Sequence, residues 1–210
     1  MNSSLKVVLM TGNALRHRYV AEKLGENFNL AGIVCEKKRA SVEESDDRQE
    51  EESKVIQQHL AERMTVEEQF FGENDFPEET DLLEIPTGAA NSHAAYVWVS
   101  ERQPDYVILY GTSIIKPPLL EAFDGRIVNM HLGLSPYFRG AATNFWPLVE
   151  RAPEYVGATI HLAVAKVDAG PILAQARPEI ALNDRAHEIG CKTIVAGTTT
   201  MIHGLEKFHS

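Results

Sequence analysis

Two short apolar runs near the start of the chain constrain its fold most. They are Leu5 to Thr11 (L-K-V-V-L-M-T) and Leu30 to Cys35 (L-A-G-I-V-C). Runs this apolar fit strands buried on both faces. Between them Tyr19, Val20 and Leu24 mark a helix that ends near Gly25. A strand, a helix and a strand in this order predict a parallel pair joined by a right-handed crossover.

The pattern continues along the chain. Asp105 to Tyr110, Arg126 to His131, Gly157 to Val164 and Ile172 to Pro178 read as strands, and Ile85 and Pro86 mark a short extended segment. Val55 to Phe71 is a helix by its spacing, with Ile56, Leu60 and Met64 on one side. Phe70, Phe71 and Phe76 read as packing residues. Asn91 or Ser92 caps the helix through Trp98 and Val99, Thr143 to Val149 is read as a helix, and Asn183 or Asp184 caps a last helix towards His203. No repeat or linker divides the 210 residues, so residues 1–210 are read as one domain.

Composition narrows the class. The net charge is −10, which opposes a nucleic-acid partner. The acidic run 43–52 reads as a solvated face. No stretch is apolar enough to span a membrane, and the start lacks the features of a signal peptide. Cys35 and Cys191 are expected to be buried, reduced thiols, which fits a cytoplasmic protein. No metal site is expected.

In an open α/β sheet, ligands bind beyond the carboxyl ends of the strands. Loops leave such ends after Thr11, Tyr110 and His131. The first, T-G-N-A-L-R-H-R, lacks the glycines of a dinucleotide loop. Its Arg16 and Arg18 either meet an anionic ligand or sit on a helix surface, and His17 between them is expected to be exposed. Asn129 and His131 are two apart and share a strand face, and Asp168 lies on a Gly/Pro-rich loop. An amide can donate to a developing oxyanion, an imidazole can move a proton, and a buried carboxylate can orient that imidazole and favour its charged form. This set suits acyl transfer.

Three motifs sharpen the reading. They are Asn129-Met130-His131, Leu134-Ser135-Pro136-Tyr137-Phe138-Arg139-Gly140 and Asp168-Ala169-Gly170-Pro171. On these the chain resembles the formyltransferases that use 10-formyltetrahydrofolate, over about Leu5 to Pro178. The resemblance implies an α/β, Rossmann-like domain with a mostly parallel twisted sheet and helices on both faces. It implies catalytic roles for Asn129, His131 and Asp168. It places Thr112, Ser113, Ile115 and Leu120 on one wall of the folate pocket, and Val164, Ala165, Lys166 and Val167 on the other. Arg16, Arg139 and Gly140 are expected at the acceptor.

The resemblance leaves the acceptor open. Methionyl-tRNA formyltransferases share Arg139-Gly140-Ala141-Ala142, but the charge opposes tRNA. Glycinamide ribonucleotide formyltransferases share Asp168-Ala169-Gly170-Pro171-Ile172, but their Gly-rich phosphate turn is T-G-N-A-L-R here. Sugar-nucleotide N-formyltransferases fit the Tyr110-Gly111-Thr112 loop and the Phe145-Trp146 pair, although that pair also suits plain core packing. A small amine, foremost a nucleotide-linked amino sugar, is the expected acceptor, with a second copy of the chain as a possible partner. A formyltetrahydrofolate hydrolase and a non-catalytic folate or nucleotide module are the other classes.

Overall fold

The computed structural model describes residues 5–37 and 50–210. The acidic run 43–52 lies outside them apart from the backbone of one helix start. Strands β1 (Lys6–Thr11), β2 (Asn29–Lys37), β3 (Leu82–Pro86), β4 (Tyr106–Tyr110), β5 (Ile127–His131), β6 (Ala158–Leu162) and β7 (Ile172–Ala176) alternate with helices. The helices are α1 (Leu15–Asn27), α2 (Glu50–Phe71), α3 (His93–Glu101), α4 (Leu119–Ala122), α5 (Trp146–Val149) and α6 (Ala186–His209). The strands form a single sheet in the order β3-β2-β1-β4-β5-β6-β7. The first five run parallel, and β6 and β7 each run antiparallel to the strand before them.

The apolar run of β1 is the reason for this arrangement. Successive side chains alternate across the sheet. Val7 and Leu9 therefore enter one core, under α1, α2 and α6, while Val8 and Met10 enter a second core, with Val99 of α3 and Leu119 of α4. A strand apolar on both faces fits only where helices cover both. Ser92 caps α3 by accepting the Ala95 N–H at 3.2 Å. Cys35 and Cys191 are buried and free, and burial pushes both thiols up, to about 11 and about 12.

Several expectations need correction. α1 runs two residues past Gly25, because Gly25 is an interior position with the last turn closed by the Phe28 N–H on Leu24 O. His17 is buried rather than exposed, with its ring edge-on to Tyr110 at 5.1 Å. Met64 is 60% exposed. The inward line of α2 instead passes through Ile56, Arg63, Glu67 and Phe71, following the 3.6-residue period more closely. Of residues 143–149 only Trp146–Val149 are α-helical, with Pro147 in the first turn, where its missing N–H costs nothing. Phe145 and Trp146 stay 45% and 50% exposed, so they are not core. Arg185, and neither Asn183 nor Asp184, is the N-cap of α6. Glu188 accepts the Arg185 N–H, while Asp184 accepts from Ala181 N–H and pairs with Lys192 at 2.6 Å.

The order β2-β1-β4 reverses the chain's direction of travel across the sheet at β1. Connections leave β1 and β4 on opposite sides there, which opens a crevice at the carboxyl ends.

Candidate active site

That crevice is a cavity of about 1020 Å³. It is lined by Arg16 and His17 at the start of α1, by Gly111 to Ile115 in the loop after β4, and by Asn129 to Leu132 at the end of β5. The three strand ends singled out in the sequence thus meet at one opening.

Asn129 and His131 share a face of β5, while Val128 and Met130 point into the first core. Directly opposite Asn129 in the antiparallel ladder stands His161 of β6. Its Nε2 lies 3.0 Å from Asn129 Nδ2. Its Nδ1 sits 2.9 Å from the Leu162 carbonyl, an acceptor, so the hydrogen belongs on Nδ1 and Nε2 accepts from the Asn129 amide. The second amide hydrogen of Asn129 points to Asp168 Oδ1 at 3.4 Å.

Asp168 reaches the site from the β6–β7 connection in a left-handed conformation, φ 49°. Behind it the loop folds tightly on β6. A Cβ on Gly170 would meet Leu162 O at 1.8 Å, so only glycine fits. Asp168 Oδ2 accepts the Gly140 N–H at 3.0 Å and faces His131 Nδ1 at 3.4 Å. Oδ1 lies 3.5 Å from His161 Nε2. Burial pushes this carboxyl up. The Gly140 N–H and the two neighbouring imidazoles outweigh burial and hold it below its ordinary value. His131 Nε2 donates to Phe138 O at 3.0 Å, which aims Nδ1 at the carboxylate.

The structure therefore brings Asn129, His131 and Asp168 together, and it adds His161, which the sequence reading did not single out. A lone imidazole in an alternating strand carries no signal of its own. Pairing its strand against Asn129 would have exposed it.

The other expected residues divide. Thr112 and Ser113 border the cavity, but their hydroxyls turn away to Glu36. That buried carboxylate also accepts the N–H groups of Ser113 and Gly88. It ties the β4 loop to the end of β2. Ile115, Val164 and Val167 line the cavity, whereas Leu120 packs against the second core and Ala165 and Lys166 are exposed outside it. Gly140 lines the cavity, and Arg139, one residue earlier in an exposed turn, does not. Arg16 lines it and pairs with Glu67 at 2.7 Å, while Arg18 turns outward to Asp75. Among the described residues no cluster of His, Cys, Asp or Glu could hold a metal ion, and no helix is long and apolar enough to cross a membrane.

Fold and site together define an α/β enzyme with an amide, imidazoles and a carboxylate at the switch point of its sheet. The chain belongs to the formyl transferase family, whose model matches residues 5–205. It is 34% identical over 101 residues to methionyl-tRNA formyltransferase of Microcystis aeruginosa, covering 48% of this chain and 30% of that protein. It is 33% identical over 120 residues to the enzyme of the same name from Bifidobacterium adolescentis, covering 56% and 32%. The matches thus span about a third of these relatives' length. In fold it is similar to phosphoribosylglycinamide formyltransferase from Anaplasma phagocytophilum, with TM-score 0.69, 16% identity, and 97% and 86% of the two chains covered. It is also similar to formyltetrahydrofolate deformylase from Pseudomonas syringae, with TM-score 0.64, 19% identity, and 97% and 60% covered.

Proposed function

We propose that residues 1–210 act as one catalytic domain that moves a formyl group from 10-formyltetrahydrofolate to the primary amine of a small acceptor, a nucleotide-linked amino sugar. The observation that carries the reading is the convergence of Asn129, His131 and Asp168 on one wall of a single large cavity.

The donor fits the residues present. Ile115, Val164 and Val167 are apolar walls for a flat ring, and loop 111–115 offers backbone groups to its polar edge. When bound, the donor supplies an activated formyl carbonyl. Asn129 can exchange its long 3.4 Å contact with Asp168 for the carbonyl oxygen as charge builds there. One such donor is worth about 3 kcal/mol to a transition state. His131 presents Nδ1 beside the Asp168 carboxylate, where it can take the proton that the attacking amine must lose and pass it to the folate nitrogen that leaves as its bond to the formyl carbon breaks. Asp168 keeps its charge and its hold on both side chains.

For the acceptor, the exposed ring of Phe145 borders the cavity and can stack against a nucleobase or sugar. The net charge of −10 disfavours tRNA. A second reading, glycinamide ribonucleotide, draws on the Asp168-Ala169-Gly170-Pro171-Ile172 run.

The test incubates the protein with 10-formyltetrahydrofolate and candidate amines and follows release of tetrahydrofolate. Turnover that requires a nucleotide-linked amino sugar supports the proposal. Turnover with glycinamide ribonucleotide supports the second reading, equal turnover without amine a hydrolase, and binding without turnover a module. His131→Ala should lower turnover by roughly 10²–10⁴ while donor binding survives. Unchanged turnover would remove His131 from the mechanism.

A further inference from the structure

The cavity has a second group of charged side chains, supplied by α1, α2 and the end of β4, that the transfer step does not use. Arg16 and Arg63 share one buried carboxylate, Glu67. Arg16 Nη1 is 2.7 Å from Glu67 Oε1, a good charge-assisted hydrogen bond. Arg63 Nε is 3.6 Å from the same oxygen, too far to donate. It is a buried nitrogen with no hydrogen-bond partner among the described residues. The hydroxyl of Tyr110 is in the same condition, on a side chain only 3% exposed. Both residues line the cavity.

Two buried donors left without acceptors, beside a pair of guanidiniums with one counter-charge, are costly as they stand. Burial, and then the like charge of Arg16, hold the Arg63 guanidinium below its ordinary pKa. Burial pushes the Tyr110 phenol far above its usual range, so it remains a donor at neutral pH. His59 and His187 pack against each other beside the same part of the cavity, ring centroids 4.4 Å apart. The nearby acids are the shared Glu67 and the exposed Glu62, which accepts from Gln58.

We infer that Arg16, Arg63 and Tyr110, with His59 and His187 at the rim, form a seat for a phosphate group of the acceptor. A phosphoryl group brings charge and three terminal oxygens, which accept from donors arriving on separate elements better than a planar carboxylate does. The seat is built on a helix, α2, and replaces with side chains what a glycine-rich turn after β1 would do with backbone N–H groups. It rests on the proposed function only for which molecule carries the phosphate.

Calorimetric titration of the full chain with inorganic phosphate and with pyrophosphate, in chloride buffer, tests the seat. Saturable binding that weakens roughly tenfold in Tyr110→Phe and in Arg63→Leu, the loss of about one charged hydrogen bond, is the expected result. Tighter binding of pyrophosphate points to a nucleoside diphosphate, and tighter binding of phosphate to a phosphomonoester. No saturable binding, or equal affinity in wild type and Tyr110→Phe, overturns the seat. Tyr110→Phe keeps the ring in the core, so it decides the matter even if Arg63→Leu fails to fold. Binding of 10-formyltetrahydrofolate, measured on the same samples, separates the two claims. Donor binding without phosphate binding removes the seat alone, and phosphate binding without donor binding removes the transfer reading alone.

Discussion

Asp168 Oδ2 accepts the Gly140 N–H at 3.0 Å, and this contact joins two loops 28 residues apart into one wall. The other oxygen faces Asn129 and His161. One carboxylate thus accepts from an amide and lies beside two imidazoles, and its backbone conformation, φ 49°, is one that Asp and Asn adopt more readily than most residues.

Asp168→Asn keeps the shape, the loop conformation and an acceptor for Gly140. It removes the charge beside His131. Turnover should fall by roughly 10²–10⁴ with little change in melting temperature. Asp168→Ala should add about 1 kcal/mol of destabilisation from backbone strain. Steady-state kinetics and thermal melts on both variants check this, and wild-type turnover in Asp168→Asn would contradict it.

His161 acts as a positioning residue for Asn129. His161→Ala should lower kcat by roughly 10²-fold, the scale of an ångström-sized misplacement, and leave KM for the donor nearly unchanged. His161→Gln, which can still accept from the amide, should recover part of the loss. A change confined to stability, with kcat intact, would reduce His161 to a packing role.

Glu36 makes the β4 loop sensitive to acid. Burial raises its pKa, but donors from Ser113, Gly88 and Thr112 prevail and hold it below the ordinary 4.5. A lowered carboxyl stabilises the fold fully above its unfolded value and loses that contribution as pH falls through the folded value. Glu36→Gln should cost about 2 kcal/mol at neutral pH. The gap between wild type and variant in urea unfolding should close as pH drops below about 4. A gap that is constant with pH would show that the charge contributes nothing.

Gly170 and Gly140 offer a paired test of the loops. A Cβ at position 170 collides with backbone, so Gly170→Ala should destabilise by about 3 kcal/mol. At Gly140, φ 91°, nothing lies within 4 Å of the added carbon. Gly140→Ala should cost only the conformational penalty, about 1 kcal/mol. Urea titrations that rank the two in the opposite order would contradict the loop geometry.

The strands were legible because burial on both faces leaves long apolar runs, and their ends moved by only a few residues in the structure. β1, read as Leu5 to Thr11, spans Lys6–Thr11, and β5, read as Arg126 to His131, spans Ile127–His131. Helix limits were less legible where packing set them, as at α5, which is four residues long in place of a predicted longer helix. Leu120, Ala165, Lys166 and Arg139 were placed at the cavity by motif position alone. A motif fixes a residue along the chain, but a loop's path decides whether its side chain turns inward.

The sequence by itself determined the parallel α/β architecture and the common face of Asn129 and His131, because both follow from local periodicity. Only the tertiary structure decided that His161 stands against Asn129, that Glu36 fastens the β4 loop, and that Arg63 and Tyr110 meet beside Arg16. Those groups lie 32 to 94 residues apart, and side chains so distant are brought together by strand pairing and helix packing, which leave no periodic trace in either partner's own segment.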